Sequence, residues 1–157
     1  MRVDMPNVAR NTGLPLLFCL ELAMETIRHY GPLLGRILLA HIFIISGLGK
    51  IAGFQGTAQY IASHGLPAAQ LLTVLVIIVE LGGGIALLIG WKARWAAAAL
   101  FVFAFLAAVI FHAFWSAPAD QAMMQQINFM KNLAIMGGML YVLVYGPGPL
   151  SVEKDKP

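Results

Sequence analysis

The chain has 157 residues, of which 60% are hydrophobic and only 11% are charged, whereas a soluble domain is typically about 45–50% apolar and about 25% charged. This composition excludes an ordinary soluble domain and indicates a membrane protein, and the formal net charge of +3 gives no support for a nucleic-acid partner. Because Cys19 is the only cysteine, an intrachain disulfide, a Cys-x-x-Cys redox pair and a thiolate-bound iron–sulfur cluster are excluded as well.

Residues 1–30 form a charged leader that differs from the rest of the chain. Its apolar core at residues 14–20 is too short to span a bilayer. A signal peptide is a weaker alternative, because Glu21 directly follows that core and no small-residue cleavage site is evident. We therefore expect a cytoplasmic or interfacial segment. Met24 offers a second start, which would make residues 1–23 dispensable.

Four apolar stretches follow the leader, and each approaches or exceeds the roughly 20 residues that cross a bilayer as a helix. They predict an all-α polytopic membrane protein with four transmembrane helices in an up-down antiparallel bundle. This membrane domain would cover residues 31–153, followed by a cytoplasmic tail at 154–157. The predicted spans are residues 33–54, 70–90, 94–115 and 127–146.

The cations that flank these spans predict the direction in which the helices run. Most Lys and Arg residues lie near the termini or in the loop after the second span, whereas Lys50 and Lys131 lie near the other two loops. Because cytoplasmic loops carry the excess of Lys and Arg, we expect both termini in the cytoplasm. Arg36, at the cytoplasmic end of the first span, is then interpreted as a lipid-headgroup anchor.

Glycines inside the spans predict where the helices touch, because small residues permit close helix approach in a bilayer. Two of them lie three and four residues after Glu80 and share its helical face, so we expect Glu80 to face protein rather than lipid. The glycines concerned are Gly47, Gly49, Gly82, Gly83, Gly84, Gly137 and Gly138.

Glu80 is the one charged residue of the second span. An ionised carboxylate at mid-membrane costs at least about 2.5–3.5 kcal/mol on insertion scales, so Glu80 must be paired, hydrated or protonated. A rise of about 1.5 Å per residue places Glu80 near the midplane and the other polar candidates toward the outer ends of their helices. The residues predicted to line this outward-facing cavity are Glu80, Lys50, Lys131, His112, Ser46 and Asn132.

Each candidate also has a simpler interpretation. Glu80 would then only hold neighbouring helices together by hydrogen bonds, both lysines would snorkel to the headgroups, and His112 would be an interfacial histidine. His41 lies about 15 Å from His112 along the membrane normal, which is too far for both to bind one haem. His64 and His112 lack the further ligands of a metal site, so no metal is predicted.

The aromatic residues of the third span are spread around the predicted helix. This distribution favours contact with lipid and core over a slot for a quinone. The residues are Phe101, Phe103, Phe105, Phe111, Phe114 and Trp115.

Several motifs, taken in order, resemble the DoxX family of small four-helix bacterial inner-membrane proteins over roughly residues 31–153. They read "GRILLAHIFIISGLGKIAGF", "HGLP", "VELGGGIALLIGWKAR", "HAFW", "FMKNLAIMGGML" and "GPGPLSVE". The resemblance implies a bacterial inner (plasma) membrane location. Some members of the family are membrane subunits of oxidoreductases that pass electrons from sulfur compounds or thiols toward quinone. The family pattern falls on Arg36, Gly47, Lys50, Glu80, His112, Lys131 and Asn132.

The first hypothesis is therefore an inner-membrane subunit of a quinone-linked oxidoreductase that acts on a sulfur compound or another small reductant. Glu80 would exchange protons with the substrate, and Lys50 and Lys131 would stabilise an anionic intermediate. His112 would relay protons to the outer face. Ser46 and Asn132 are candidates for binding the cofactor, for which the resemblance suggests a quinone.

Two alternatives remain open. The chain would serve as a proton-coupled carrier of a small molecule, for which a single four-helix chain would have to dimerise, or as a structural membrane partner without activity of its own. The expected partners are the lipid bilayer and either a second copy of the chain or a redox partner subunit.

Overall fold

The computed structural model describes residues 14–153 and, within them, the side chains of residues 16–153. Every regular element in this part of the chain is a helix, which confirms the all-α prediction. The elements are α1 (Leu14–Ala52), α2 (Phe54–Ser63), α3 (Ala69–Ile89), α4 (Ala93–Phe111), a 3₁₀ turn (Phe114–Ser116) and α5 (Ala119–Tyr145).

Four of the described helices, α1, α3, α4 and α5, are long and apolar enough to cross a membrane. The helix α1 packs on α3, α3 on α4 and α4 on α5, and α5 also touches α1. Consecutive membrane helices are therefore neighbours, as the short connections of an up-down bundle require. The two ends of the bundle are called the Arg36 end and the Lys50 end, after the most buried cation at each.

The boundaries of three spans differ from the prediction by more than one residue. The third membrane helix, α4, ends at Phe111 rather than at residue 115, and the 3₁₀ turn follows it. The first span ends at Ala52 rather than at residue 54, because the chain breaks at Gly53 and then forms α2, a ten-residue helix that was not predicted. The last helix begins at Ala119 rather than at residue 127. Its first turns contain several glutamines, which lower the hydropathy without opposing helix formation.

The helix α1 begins at Leu14, so residues 14–30 of the predicted leader belong to the same helix as the first span. Its 39 residues extend about 58 Å at about 1.5 Å per residue, which is well beyond the roughly 30 Å of a hydrocarbon core. Residues 16–30 are exposed throughout and extend beyond the bundle at the Arg36 end. Residues 1–13 and the predicted tail at 154–157 lie outside the described residues.

The apolar core fills the half of the bundle nearer the Arg36 end. Alanines of α4 permit close approach of α3 there, and larger side chains of α1, α3 and α5 fill the remaining space. The core residues are Ala40, Phe43, Leu87, Ala96, Ala97, Leu100 and Met139. The half nearer the Lys50 end is packed differently, because it contains a cavity.

Glycine contacts between α1 and α3 bring these helices close at the level of Glu80. A Cβ added to Gly47 would lie 2.7 Å from Cγ of Leu81, and one added to Gly84 would lie 2.9 Å from Cγ1 of Ile44. The predicted helix contacts are confirmed here, since neither position has room for a larger residue. Two further close approaches are Gly83 to Leu100 and Gly138 to Leu39.

The contact prediction was wrong for three other glycines. A Cβ at any of these positions would have no neighbour within 4 Å, because each of these residues lies on the outer face of its helix. They are Gly49, Gly82 and Gly137.

Candidate functional site

An ion pair joins α1 and α3 through Lys50 and Glu80. The ammonium Nζ of Lys50 lies 2.9 Å from Oε2 of Glu80 and donates a 2.9 Å hydrogen bond to Oε1. Ser46, one turn before Lys50, accepts a 2.6 Å hydrogen bond from Nζ and donates one of 3.1 Å to Oε1 of Glu80. The three side chains thus form a closed ring of hydrogen bonds.

Glu80 is deeply buried and faces protein, as predicted. The residue is only 3% exposed, whereas the side chain of Lys50 is 25% exposed. The Oε2 atom is in charge contact with Lys50 but accepts no hydrogen bond from residues 14–153. The carboxylate is therefore held at Oε1 by two hydrogen bonds and at Oε2 by its charge contact with Lys50.

A cavity of about 460 Å³ lies at the Lys50 end, enclosed by residues of all five α-helices and of the adjoining loops. Its volume falls within the range of small-molecule sites, about 300–1,000 Å³. Its walls are mainly apolar and aromatic. All six residues predicted to form a site line this one cavity: Ser46, Lys50, Glu80, His112, Lys131 and Asn132.

His112 follows the last residue of α4 and contacts α5. Its Nδ1 lies 2.8 Å from Oε1 of Gln125. With the amide oxygen assigned as acceptor, Nδ1 carries the hydrogen and donates it, and Nε2 is the basic nitrogen of the neutral ring. His112 is thus oriented by a side chain of the neighbouring helix.

Lys131 and Asn132 are consecutive residues of α5 in different surroundings. Lys131 is exposed, and its ammonium donates a 3.1 Å hydrogen bond to Oδ1 of Asn128, one turn nearer the Lys50 end. This geometry matches the snorkelling interpretation of Lys131 and not a direct contact with Glu80. Asn132 is buried and lines the cavity.

The wall contributed by α2 was missed by the sequence reasoning. Tyr60 of α2 stacks on Phe111 of α4 with ring centroids 5.5 Å apart, and the ring of His64 lies 4.9 Å from that of Phe111. The available signal was a short amphipathic stretch between Gly53 and Gly65.

The prediction for the aromatic residues of α4 was wrong in part. Phe103 and Phe111 line the cavity, so the prediction that these residues contact only lipid and core was wrong for both. Phe105 is exposed and Phe101 packs against the core, as expected. The rings are spread around α4 when the helix is considered alone. In the bundle, two of them form part of the cavity wall together with residues of α1 and α2.

Arg36 is not a lipid-headgroup anchor, so that prediction was wrong. It is 1% exposed, and its guanidinium donates hydrogen bonds of 3.0 Å to the carbonyl oxygen of Leu88 and of 2.8 Å to that of Leu150. The last carbonyls of a helix lack partners within the helix and form the negative end of its dipole. Arg36 therefore caps α3 and ties the end of the described chain to it.

The segment of residues 146–153, here called the C-terminal strap, crosses the Arg36 end. Glu153 accepts a 2.6 Å hydrogen bond from the backbone N–H of Lys92 and pairs with its ammonium at 3.2 Å. These two groups of Lys92 hold the pKa of the Glu153 carboxyl below its ordinary value. Gly148 is required in the strap because its φ is +74° and a Cβ would lie 2.5 Å from Cβ of Pro32. The motif "GPGPLSVE" thus fixes the end of the bundle opposite the cavity.

The fold and the cavity define a multi-pass membrane protein with a buried ion pair inside the bundle. The DoxX family model matches residues 31–113. "Inner membrane protein YqjF" of Escherichia coli is 39% identical over 131 residues, which cover 83% of this chain and 95% of YqjF. "Inner membrane protein YphA" of the same organism is 38% identical over 123 residues, covering 78% and 87%. The chain belongs to the DoxX family, and these relatives support an inner-membrane location.

A shorter similarity concerns a protein of Bacillus subtilis. "Putative oxidoreductase CatD" of Bacillus subtilis is 36% identical over 64 residues, which cover 41% of this chain and 46% of CatD. No solved structure matches the chain. The residues matched by the family model include Lys50, Glu80 and His112, whereas Lys131 and Asn132 lie beyond them.

Proposed function

We propose that this protein is an inner-membrane subunit of a quinone-linked oxidoreductase that acts on a sulfur compound or another small reductant. The observation that carries the proposal is the Lys50–Glu80 pair in the wall of a mainly apolar cavity. Ionisable groups are expensive inside a membrane, and they mark functional sites there. The partial similarity to "Putative oxidoreductase CatD" supports the same class.

The residues that line the cavity fit a quinone headgroup. Its apolar faces would pack against aromatic rings such as Phe43 and Phe103. Its oxygens need hydrogen-bond donors, which the Lys50 ammonium and the Asn132 amide supply at the cavity wall. When bound, a quinone would accept the two electrons and two protons that a reductant such as a pair of thiols releases on forming a disulfide.

The chain's own residues would move the protons. Glu80 would exchange protons with the bound ligand while Oε1 keeps its hydrogen bonds to Ser46 and Lys50. Lys50 would stabilise negative charge that develops on the bound ligand. With both termini in the cytoplasm, His112 would pass protons between the cavity and the outer face.

Glu80→Gln is expected to reduce quinone reduction to background while the protein still inserts and folds. Glutamine keeps the shape and one acceptor oxygen but cannot carry the exchanged proton. The assay follows decylubiquinol formation from decylubiquinone and reduced glutathione, in membranes of a host that lacks the protein and receives either the wild-type or the variant gene. Glu153→Gln is the matched control, because it makes the same change in the strap, and its rate should equal that of the wild type.

Two outcomes would contradict this proposal. A wild-type rate in the Glu80→Gln variant would remove the assigned proton role from Glu80. A rate in wild-type membranes no higher than in membranes without the protein would remove the oxidoreductase activity itself.

A further inference from the structure

We propose that the substrate of this cavity is an organic anion, with an apolar body among the aromatic walls and one anionic headgroup at Lys131 and Asn132. The inference rests on the proposed function only in taking the cavity as the site where the reductant binds. This inference specifies the charge and the shape of the reductant.

The charged side chains that line the cavity include one cation without an opposite charge beside it. Three charged side chains line it, namely Lys50, Glu80 and Lys131. Lys50 and Glu80 neutralise each other at 2.9 Å. Lys131 forms no ion pair with the described part of the chain, and its hydrogen bond goes to a neutral amide oxygen. The lining therefore carries a net charge of +1, which favours an anion over a neutral or cationic ligand.

Asn132 adds an independent observation that points to a ligand. The residue is only 9% exposed and lines the cavity. Its side-chain amide makes no hydrogen bond with any residue of the described chain. This amide offers two N–H donors to a hydrogen-bond partner in the cavity. A headgroup oxygen in the cavity would supply that partner.

In the proposed complex, one headgroup would be shared by Lys131 and Asn132 at the cavity edge. They are consecutive residues of α5, and both reach the cavity although Lys131 is exposed and Asn132 is buried. The bond from Lys131 to Asn128 draws the ammonium toward the Lys50 end, which the orientation proposed above places on the outer side. From this exposed edge of the cavity, the ammonium would attract an anionic headgroup that enters from the Lys50 end.

The remaining wall determines the body of the ligand. Phe43, Phe103, Phe111 and Tyr60 surround the cavity together with aliphatic side chains. A small inorganic anion would lose its hydration against these groups without compensation. An anion with an aromatic or branched body would instead bury apolar surface there while its headgroup stays with Lys131.

The test measures binding of three probes to the full chain in phosphatidylcholine nanodiscs by isothermal titration calorimetry. The probes are 1-naphthoate, its neutral counterpart 1-naphthalenemethanol and inorganic sulfate. Naphthoate should bind about tenfold more tightly than the alcohol, as expected for charge-assisted hydrogen bonds, and sulfate should not bind measurably. Lys131→Gln should abolish the preference for naphthoate and leave the alcohol unchanged. Lys92→Gln, an exposed lysine at the Arg36 end, should change neither affinity.

Equal affinities for naphthoate and the alcohol would overturn the proposal, and so would a preference that survives Lys131→Gln. Sulfate binding as tight as that of naphthoate would overturn the assigned apolar body. Repeating the titration with phosphatidylglycerol in the nanodisc identifies the source of the anionic group. Competition by that lipid would assign it to a lipid headgroup, and unchanged naphthoate binding would assign it to a soluble compound.

The binding test does not depend on turnover. If the anion preference fails while Glu80-dependent quinone reduction persists, the oxidoreductase proposal stands and only the substrate class is wrong. If the anion preference holds while wild-type membranes show no quinone reduction, the cavity is an anion site of a different activity.

Discussion

Lys50→Met is expected to lower the free energy of unfolding by about 3 kcal/mol, because it leaves a buried carboxylate without its cation. Glu80 is 3% exposed and depends on Lys50 and Ser46 for its hydrogen bonds. The effect should lie at the lower end of the range for broken buried pairs, since the side chain of Lys50 is 25% exposed and the pair is only partly buried. Unfolding by sodium dodecyl sulfate in mixed micelles, followed by circular dichroism, measures the change.

The double variant Lys50→Met with Glu80→Leu tests whether the two side chains stabilise the protein as a pair or independently of each other. Replacing both partners by apolar residues of similar size is often neutral or stabilising, so the double variant should regain most of the lost stability. Lys131→Met is the control, because Lys131 is exposed and forms no ion pair with the described residues, and it should change stability by less than about 0.5 kcal/mol. Additive effects of the two single changes would contradict the pairing.

Arg36→Met is expected to destabilise the protein by about 3–4 kcal/mol. The change removes the hydrogen bonds from the guanidinium to the carbonyl oxygens of Leu88 and Leu150, and a hydrogen bond to a charged group contributes about 1.5–3 kcal/mol. It should also release the C-terminal strap, which carboxypeptidase digestion detects as faster trimming of the folded protein. Arg36→Lys should recover only part of the loss, because one ammonium does not reproduce the planar, two-armed geometry.

Arg28→Met provides the matched control in the same helix. Arg28 is exposed in the extension of α1, so its replacement should change stability by less than about 0.5 kcal/mol and leave the strap protected. If Arg36→Met behaved like Arg28→Met, the interpretation of Arg36 as a headgroup anchor would be right. The stabilising role assigned to its hydrogen bonds with Leu88 and Leu150 would be wrong.

The sequence predicted the membrane helices well where their ends carry a chemical signal. The helix α3 differs from its predicted span by one residue at each end, because polar and loop-forming residues precede it and Gly90 follows it. The starts of α1 and α5 were missed because hydropathy reports apolar length and not helix formation. Charged or glutamine-rich turns are helical in both, at Leu14–Ala52 and Ala119–Tyr145.

The candidate site was predictable to the extent that polar side chains inside a membrane need polar partners. Glu80 had to be paired or protonated inside a membrane, and that constraint led to Lys50 and to the rest of the cavity lining. The environment of Arg36 was not predictable in this way, because its partners are backbone carbonyls of Leu88 and Leu150. Backbone groups leave no pattern of side chains in the sequence, and the packing of the strap decides which of them it meets.

Native mass spectrometry of the protein, extracted gently from its own membrane, tests the central claim most directly. The wild type should carry one bound quinone. Ala107→Trp, which fills the cavity from α4, should lose the quinone, whereas Ala99→Trp on the exposed face of the same helix should keep it. A wild-type protein that carries only phospholipid would contradict the claim that this cavity serves a quinone-linked oxidoreductase.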